Sequence, residues 1–282
     1  MNLDALVGAK LPAIDHAYDH KDAILYALGL GYGEDPMDPA QLAYVYEDGL
    51  QAVPSLCVVL AHPGFWLTRP EFDVAWLKLL HAEQAFQMHR PLPPKGKVRG
   101  SYRVLAVEDR GEKGSVLYQE KLLHDSGSGE LIATVTTTLF LRGDGGQGSH
   151  GTAPEPMAPL PDLAPDFSVD LTTLPQQALI YRLSGDLNPI HASVGAAAKA
   201  GFDRPILHGL CTMGFAVRAI LKAYCDDRPE RLTSFAVRFT KPVFPGETLR
   251  FDFYRDGSAL RFRGTAVGRD VVVLDRGVAT IN

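Results

Sequence analysis

One break in patterning does most to fix what this chain can become. Residues 143–165 read GDGGQGSHGTAPEPMAPLPDLAP, where Gly, Pro and small side chains replace any apolar periodicity. The break divides the chain into 1–142 and 166–282, and stretches of like size invite a search for an internal repeat. AILYALGLG at 23–31 lies over ALIYRLSGD at 178–186, pairing Tyr26 with Tyr181 and Leu28 with Leu183. At nearly the same offset, Pro54-Ser-Leu-Cys lies over Pro205-Ile-Leu-His, and the turn starting at Arg90-Pro lies over the one starting at Lys241-Pro. Three short matches in one order point to a duplicated unit.

Each half is expected to begin with a helix and end in strands. In LPQQALIYRLSGD the apolar residues 174, 178, 179 and 183 are spaced as one helical face, and GAAAKAGFD follows as a short second helix. LHGLCTMGFAVRAILKAYC, 207–225, is apolar over much of its circumference, as a central core helix must be. After it SFAVRFTKPVF, ETLRFDFYRD, ALRFRGTAVG and DVVVLDRGVATI alternate or are β-branched, and the turns between them predict a four-strand antiparallel meander. KVRGSYRVLAVED, SVLYQEKLLHD and ELIATVTTTLFLRG close the first half likewise. The fold class expected is α+β, each antiparallel sheet wrapped over its own helix.

Composition narrows the function. Twenty-eight Lys plus Arg against 33 Asp plus Glu give a net charge of −5, so no summed positive field gathers phosphate backbone and nucleic acid is not an expected partner. Three cysteines without C-x-x-C spacing give neither a disulfide framework nor a thiolate metal site, and nine scattered His show no H-x-x-x-H or H-E-x-x-H pair. No run approaches the roughly 18 apolar residues of a membrane span, and the start carries no basic segment followed by an apolar one.

Chemistry concentrates in Tyr181-Arg-Leu-Ser-Gly-Asp-Leu-Asn-Pro-Ile-His191. A carboxylate and an imidazole near one point, Asp186 and His191, can hold a water between them and move its protons, as addition of water across a double bond requires. Asn188 adds a neutral donor and acceptor, and Pro189 encodes the turn locally. Gly-Asp-x-Asn-Pro is equally the pattern of an ordinary turn in which Asp and Asn bond their own backbone. Gly209, after His208 at the start of the core helix, can serve close approach or supply an N–H to a developing oxyanion.

The stretch YRLSGDLNPIHASVGAAAKAGFDRPILHGLCTMGF resembles the signature of the MaoC-like dehydratases, in the (R)-specific enoyl-CoA hydratase (hydratase 2) branch. LYALGLG, LLHAEQ, HRPLPPKGKV and LFLRGDGGQG resemble the amino-terminal half of its two-repeat members, so the resemblance spans almost the whole chain. It implies a double hot-dog fold: a non-catalytic repeat, 1–142, accommodating acyl chain and CoA, the linker 143–165, and a catalytic repeat, 166–282. It implies Asp186 and His191 as the acid/base pair, Asn188 orienting the water, the Gly209 amide polarising the thioester carbonyl, and reversible syn hydration of trans-2-enoyl-CoA to (3R)-3-hydroxyacyl-CoA without metal or redox cofactor. CoA-binding positions fall on His81, on Ala82 where the family commonly has Gly, on Arg110 or Lys113 in a strand turn, and on Phe239. A homodimer is expected from the family and from otherwise exposed edge strands. The end, Val-Ala-Thr-Ile-Asn, is not a Ser-Lys-Leu signal, so the expected setting is the cytoplasm. Three rivals stand beside this reading: the same chemistry on a bulky steroid-side-chain or polyketide-like thioester, a hot-dog thioesterase, and a non-catalytic acyl-CoA binding partner.

Overall fold

The structure, a computed structural model, describes residues 1–257 and 259–282. Its strands are β1 (Ile14–Tyr18), β2 (Leu79–Met88), β3 (Gly96–Asp109), β4 (Ser115–Asp125), β5 (Leu131–Leu141), β6 (Phe167–Thr172), β7 (Leu232–Phe239), β8 (Thr248–Asp256), β9 (Ala259–Ala266) and β10 (Val271–Ile281). The helices are α1 (Leu3–Val7), α2 (His20–Leu28), α3 (Pro39–Leu42), α4 (Leu56–Val59), α5 (Gln177–Tyr181), α6 (Val194–Lys199) and α7 (Gly209–Tyr224). All strands join one sheet in the order β1-β3-β4-β5-β2-β7-β10-β9-β8-β6. One rule is thus applied twice: the first strand of each half lies at an outer edge, the second at the seam, and the last three form a meander between them. The halves meet where β2 runs antiparallel to β7, Glu83 opposite Arg238, and Phe86 stacks on Phe235 with centroids 5.5 Å apart. Two such curved sheets side by side are a double hot-dog.

Three expectations need correction. The closing strands of the second half are not a four-strand meander: β7 pairs with β10 and β2, leaving only β8-β9-β10 in sequence. Between β7 and β8 the chain passes Pro242 and Pro245, which lack the N–H that a hairpin ladder needs. A strand also precedes the repeated helix of each half, β1 before α2 and β6 before α5. Edge strands β1 and β6 are only five and six residues long, so even the alternation of Phe167, Val169 and Leu171 with polar residues in β6 is a short signal.

The third correction concerns the helix inside each sheet. α7 is buried from Cys211 to Leu221 and fills the second half, whereas its counterpart α4 has four residues. Past α4 the chain meets Ala61 at φ 51°, Pro63, Gly64 at φ 70° and Pro70, and it continues in short 3₁₀ turns to Lys78. The linker 143–165 is held to the sheets of both halves. His150 bridges to Val107 of β3, the Asp109 carboxylate accepts the N–H groups of Gly146 and Gly148, and Arg276 donates to Met157 O at 3.0 Å.

A single apolar core runs through both halves, from Tyr18 to Ala279. α7 reaches into the first half at Gly214, where a Cβ would come within 2.3 Å of Leu30, so only glycine fits. One turn on, buried Arg218 donates to Leu30 O at 3.2 Å and pairs with Glu34 at 2.6 Å. Leu6, Trp66, Leu67, Phe72, Val107, Leu117 and Leu141 form a second, smaller core under the first sheet. Among the described residues no helix is long and apolar enough to cross a membrane.

Candidate active site

The turn that carries Asp186, Asn188 and His191 is built by backbone chemistry. α5 ends at Tyr181, a 3₁₀ turn follows, and Gly185 at φ 120° reverses the chain in a conformation L side chains rarely adopt. Asp186 Oδ1 accepts the Asn188 N–H at 3.0 Å, and Asn188 Oδ1 accepts the Ile190 N–H at 3.2 Å, capping the turn Pro189–His191. The ordinary-turn pattern read from sequence is therefore present, and it is what aims the functional atoms. With Oδ1 occupied, Asp186 turns Oδ2 towards His191 Nε2 at 3.9 Å. That gap is too long for a direct hydrogen bond and suits one water bonded to both groups.

Both ring nitrogens of His191 have definable roles. Nδ1 lies 2.9 Å from Ile206 O, and since a carbonyl only accepts, Nδ1 carries the proton and Nε2 keeps its lone pair. Burial is the largest influence on its pKa and holds it below 6.5, so the imidazole is neutral near pH 7. Asn188, its Oδ1 used in capping, retains Nδ2 as a donor. Gly209 is the exposed first residue of α7, with no upstream carbonyl to take its N–H, and a Cβ there would meet the Phe239 ring at 3.4 Å.

The structure brings His81 and Phe239 to the same place. Their rings meet edge to face at 4.9 Å across the β2/β7 seam, and His81 Nε2 donates to Gln84 Oε1 at 3.0 Å. Burial, above all, lowers the His81 pKa to about 4. Ala82 is the extra residue of a β-bulge between His81 and Glu83, and its φ is negative, so alanine sits there without strain. Arg110 and Lys113 lie apart on the exposed β3–β4 turn, with Arg110 paired to Glu108 at 2.8 Å. The register Leu79–Leu141–Ser115 puts that turn at the same end of the sheet as His81.

Sequence reasoning passed over two histidines. His208 was noted only as the neighbour of Gly209, yet its ring stacks on His191 at 3.7 Å. A second histidine in the same signature was the available sign. His62, from the first half, is solvent-accessible yet crowded enough that burial pulls its pKa to about 4, while the Asp186 charge opposes the shift. No motif surrounds it.

Asp186, His191 and His208 offer donor atoms within 4.8 Å of one another. The two imidazole planes, however, stack 27° from parallel, so their in-plane lone pairs run side by side instead of converging on one ion about 2.1 Å from each. The arrangement suits a water held between a carboxylate and a neutral base better than a bound metal.

Comparisons with known proteins follow this geometry closely. The family described as "MaoC like domain" matches residues 157–276, and "MFE-2 hydratase 2 N-terminal domain" matches residues 16–143. Enoyl-CoA hydratase ChsH3 of Mycobacterium tuberculosis is 38% identical over 100% of this chain and 99% of its own. The peroxisomal enoyl-CoA hydratase 2 of Arabidopsis thaliana is 36% identical over 97% of this chain and 93% of its own. The crystal structure of a MaoC-like dehydratase from Phytophthora capsici superposes with TM-score 0.88 at 30% identity, covering 100% of this chain and 99% of the other.

Proposed function

This chain belongs to the MaoC-like dehydratases, in their two-repeat hydratase 2 form, and from that premise we propose how it acts as an (R)-specific 2-enoyl-CoA hydratase. The observation that carries the mechanism is the 3.9 Å opening between Asp186 Oδ2 and His191 Nε2. A water held there gives a proton to Nε2 as its oxygen adds to C3 of the trans-2-enoyl thioester. Charge moves to the thioester oxygen, where the Gly209 N–H at the helix start receives it. The imidazolium then returns the proton to C2 on the same face, so the elements of water add syn and give the (3R)-3-hydroxyacyl-CoA. Asp186 orients the water and balances the imidazolium, and Asn188 Nδ2 supplies a further donor. No metal or redox cofactor is required in this scheme.

CoA lies against His81, Ala82 and Phe239 in this reading, with Arg110 or Lys113 reaching its phosphates from the neighbouring turn. The partner is a second copy of the chain, because edge strands β1 and β6 each leave a row of backbone groups unpaired. Sedimentation at a mass twice the chain's supports this, and a monomer removes it. Three buried free thiols fit a reducing compartment such as the cytoplasm, though the Arabidopsis relative is peroxisomal.

The test is loss of enoyl-thioester absorbance with trans-2-decenoyl-CoA, resolving the product's C3 configuration and assaying free CoA in parallel. A 3R alcohol without CoA release is expected. Released CoA would make the protein a thioesterase instead.

A further inference from the structure

The catalytic turn is held from behind by a residue the mechanism above leaves idle. His208 is the N-cap of α7 but makes no capping bond with its side chain. The buried ring turns back, and Nε2 meets the backbone oxygen of Asp186 at 3.1 Å. Because that oxygen only accepts, Nε2 carries the proton and Nδ1 is a lone pair, buried and without a partner. The face of the same ring lies on His191. One side chain thus touches the acid by its backbone and the base by its ring, while its own peptide leads directly into Gly209.

We infer that His208 is a positioning residue: it fixes the separation of Asp186 from His191 and sets both against the Gly209 N–H. This rests on the hydratase reading. The groups facing His208 are His191, Asp186, Arg182 and Tyr181. Burial first and His191 second keep its pKa near 4, so it stays neutral when His191 takes up a proton. A permanently charged residue stacked there would oppose that protonation. The unpartnered Nδ1 has a natural complement in the Tyr181 hydroxyl, also buried without a partner, on a ring 5.1 Å from that of His208. Tyr181 in turn packs on Tyr26, whose hydroxyl donates to Ser55 Oγ at 2.9 Å. Tyr181 thus packs ring on ring between Tyr26 of the first half and His208.

Two substitutions separate the contacts. His208→Phe keeps the ring face and removes the donor to Asp186, whereas His208→Gln keeps a donor and removes the face. With trans-2-decenoyl-CoA, His208→Phe is expected to lose about tenfold or more in kcat, with KM within about twofold, since small misplacements of reacting groups carry large rate costs. His208→Gln, with the donor restored, is expected to recover part of that loss. A His208→Phe enzyme within twofold of wild-type kcat overturns the inference, as do equal losses in both variants that track a lowered Tm. Should the Phe variant not fold, His208→Gln alone decides, and an unchanged kcat there overturns the proposal. A further readout is independent of turnover: ¹⁵N spectra should show His191 as the neutral Nδ1–H tautomer in wild type, with that signature mixed in the variants. An unaltered signature counts against positioning, whereas a wild-type protein that hydrates no enoyl-CoA would sink the hydratase reading and leave this spectral test standing.

Discussion

Strand β4 of the first half and strand β9 of the second occupy the same place in their sheets, yet turn different residues inward. The inner row of β9 is Leu260, Phe262, Gly264 and Ala266, and it faces the buried core. The inner row of β4 is Ser115, Leu117, Gln119, Lys121 and Leu123, and three of these five are polar. The difference lies in what covers each sheet. A helix satisfies its own backbone and presents side chains, so the strand beneath it is apolar. An irregular segment presents bare carbonyls and N–H groups, and the strand beneath must answer them. Lys121 Nζ donates to Cys57 O, Val58 O and Leu60 O, Ser115 Oγ donates to Asp144 O, and Gln119 Oε1 accepts from Trp66 Nε1. The half that lost its helix exchanged a greasy sheet for a hydrogen-bonding one.

The proposed function puts chemistry in the helix-backed half, and that contrast can be broken at graded points. The largest effect is expected from Asp186→Asn and His191→Gln, each losing about a hundredfold or more in kcat with folding and CoA affinity near wild type. Turnover above about a tenth in either variant would refute the pair. Next comes Gly209→Pro. Proline suits the first position of a helix, and His208 already has the extended ψ of 136° that a following proline favours, so the helix should persist while the N–H is lost. A rate loss of about a hundredfold at unchanged circular dichroism is expected, and full activity would remove Gly209 from the oxyanion role.

In the other half the loss should be one of stability. Lys121→Met strands three buried carbonyls and is expected to cost about 3 kcal/mol in urea unfolding, while the remaining folded enzyme keeps kcat within about threefold. An unchanged midpoint would show that water replaces the ammonium freely. Smaller again is the effect of acid. Because the neutral form of His191 is the base and burial lowers its pKa from the ordinary histidine value of 6.5, the acid limb of activity should be centred below that value. An acid limb centred above that value would contradict a desolvated base. Smallest is Ala82→Gly, expected to alter inhibition by free CoA less than about threefold, and no change at all would take residue 82 out of the nucleotide contact.

The turn that gathers the candidate site residues was legible in local sequence, and part of the strand order was not. Asp186, Asn188, His191 and Gly209 lie within one signature because their geometry comes from local turns and a helix start, which short-range sequence encodes. The pairing of β7 with β10 and β2 was not legible, since strand order depends on contacts between residues far apart in the chain. Strand β2 hid for another reason: its bulge at Ala82 shifts the inward-facing register. The expectation of a helix in the first half followed from treating the repeats as equal, although Pro63, Gly64 and Pro70 stood in the way.

Helix α7 has a consequence for how the protein is made. The first half is synthesised first, but the core it needs is completed by residues 209–224, which leave the ribosome only after the strap 143–165 and another strand. Until then Leu30 and Tyr32 lack Gly214 and Arg218 of α7 to pack against. The nascent first half is therefore expected to stay incompletely folded until α7 is made. A chain ending at residue 165 should bind an apolar dye and lack a cooperative melt, and a sharp melt would show that this half folds unaided.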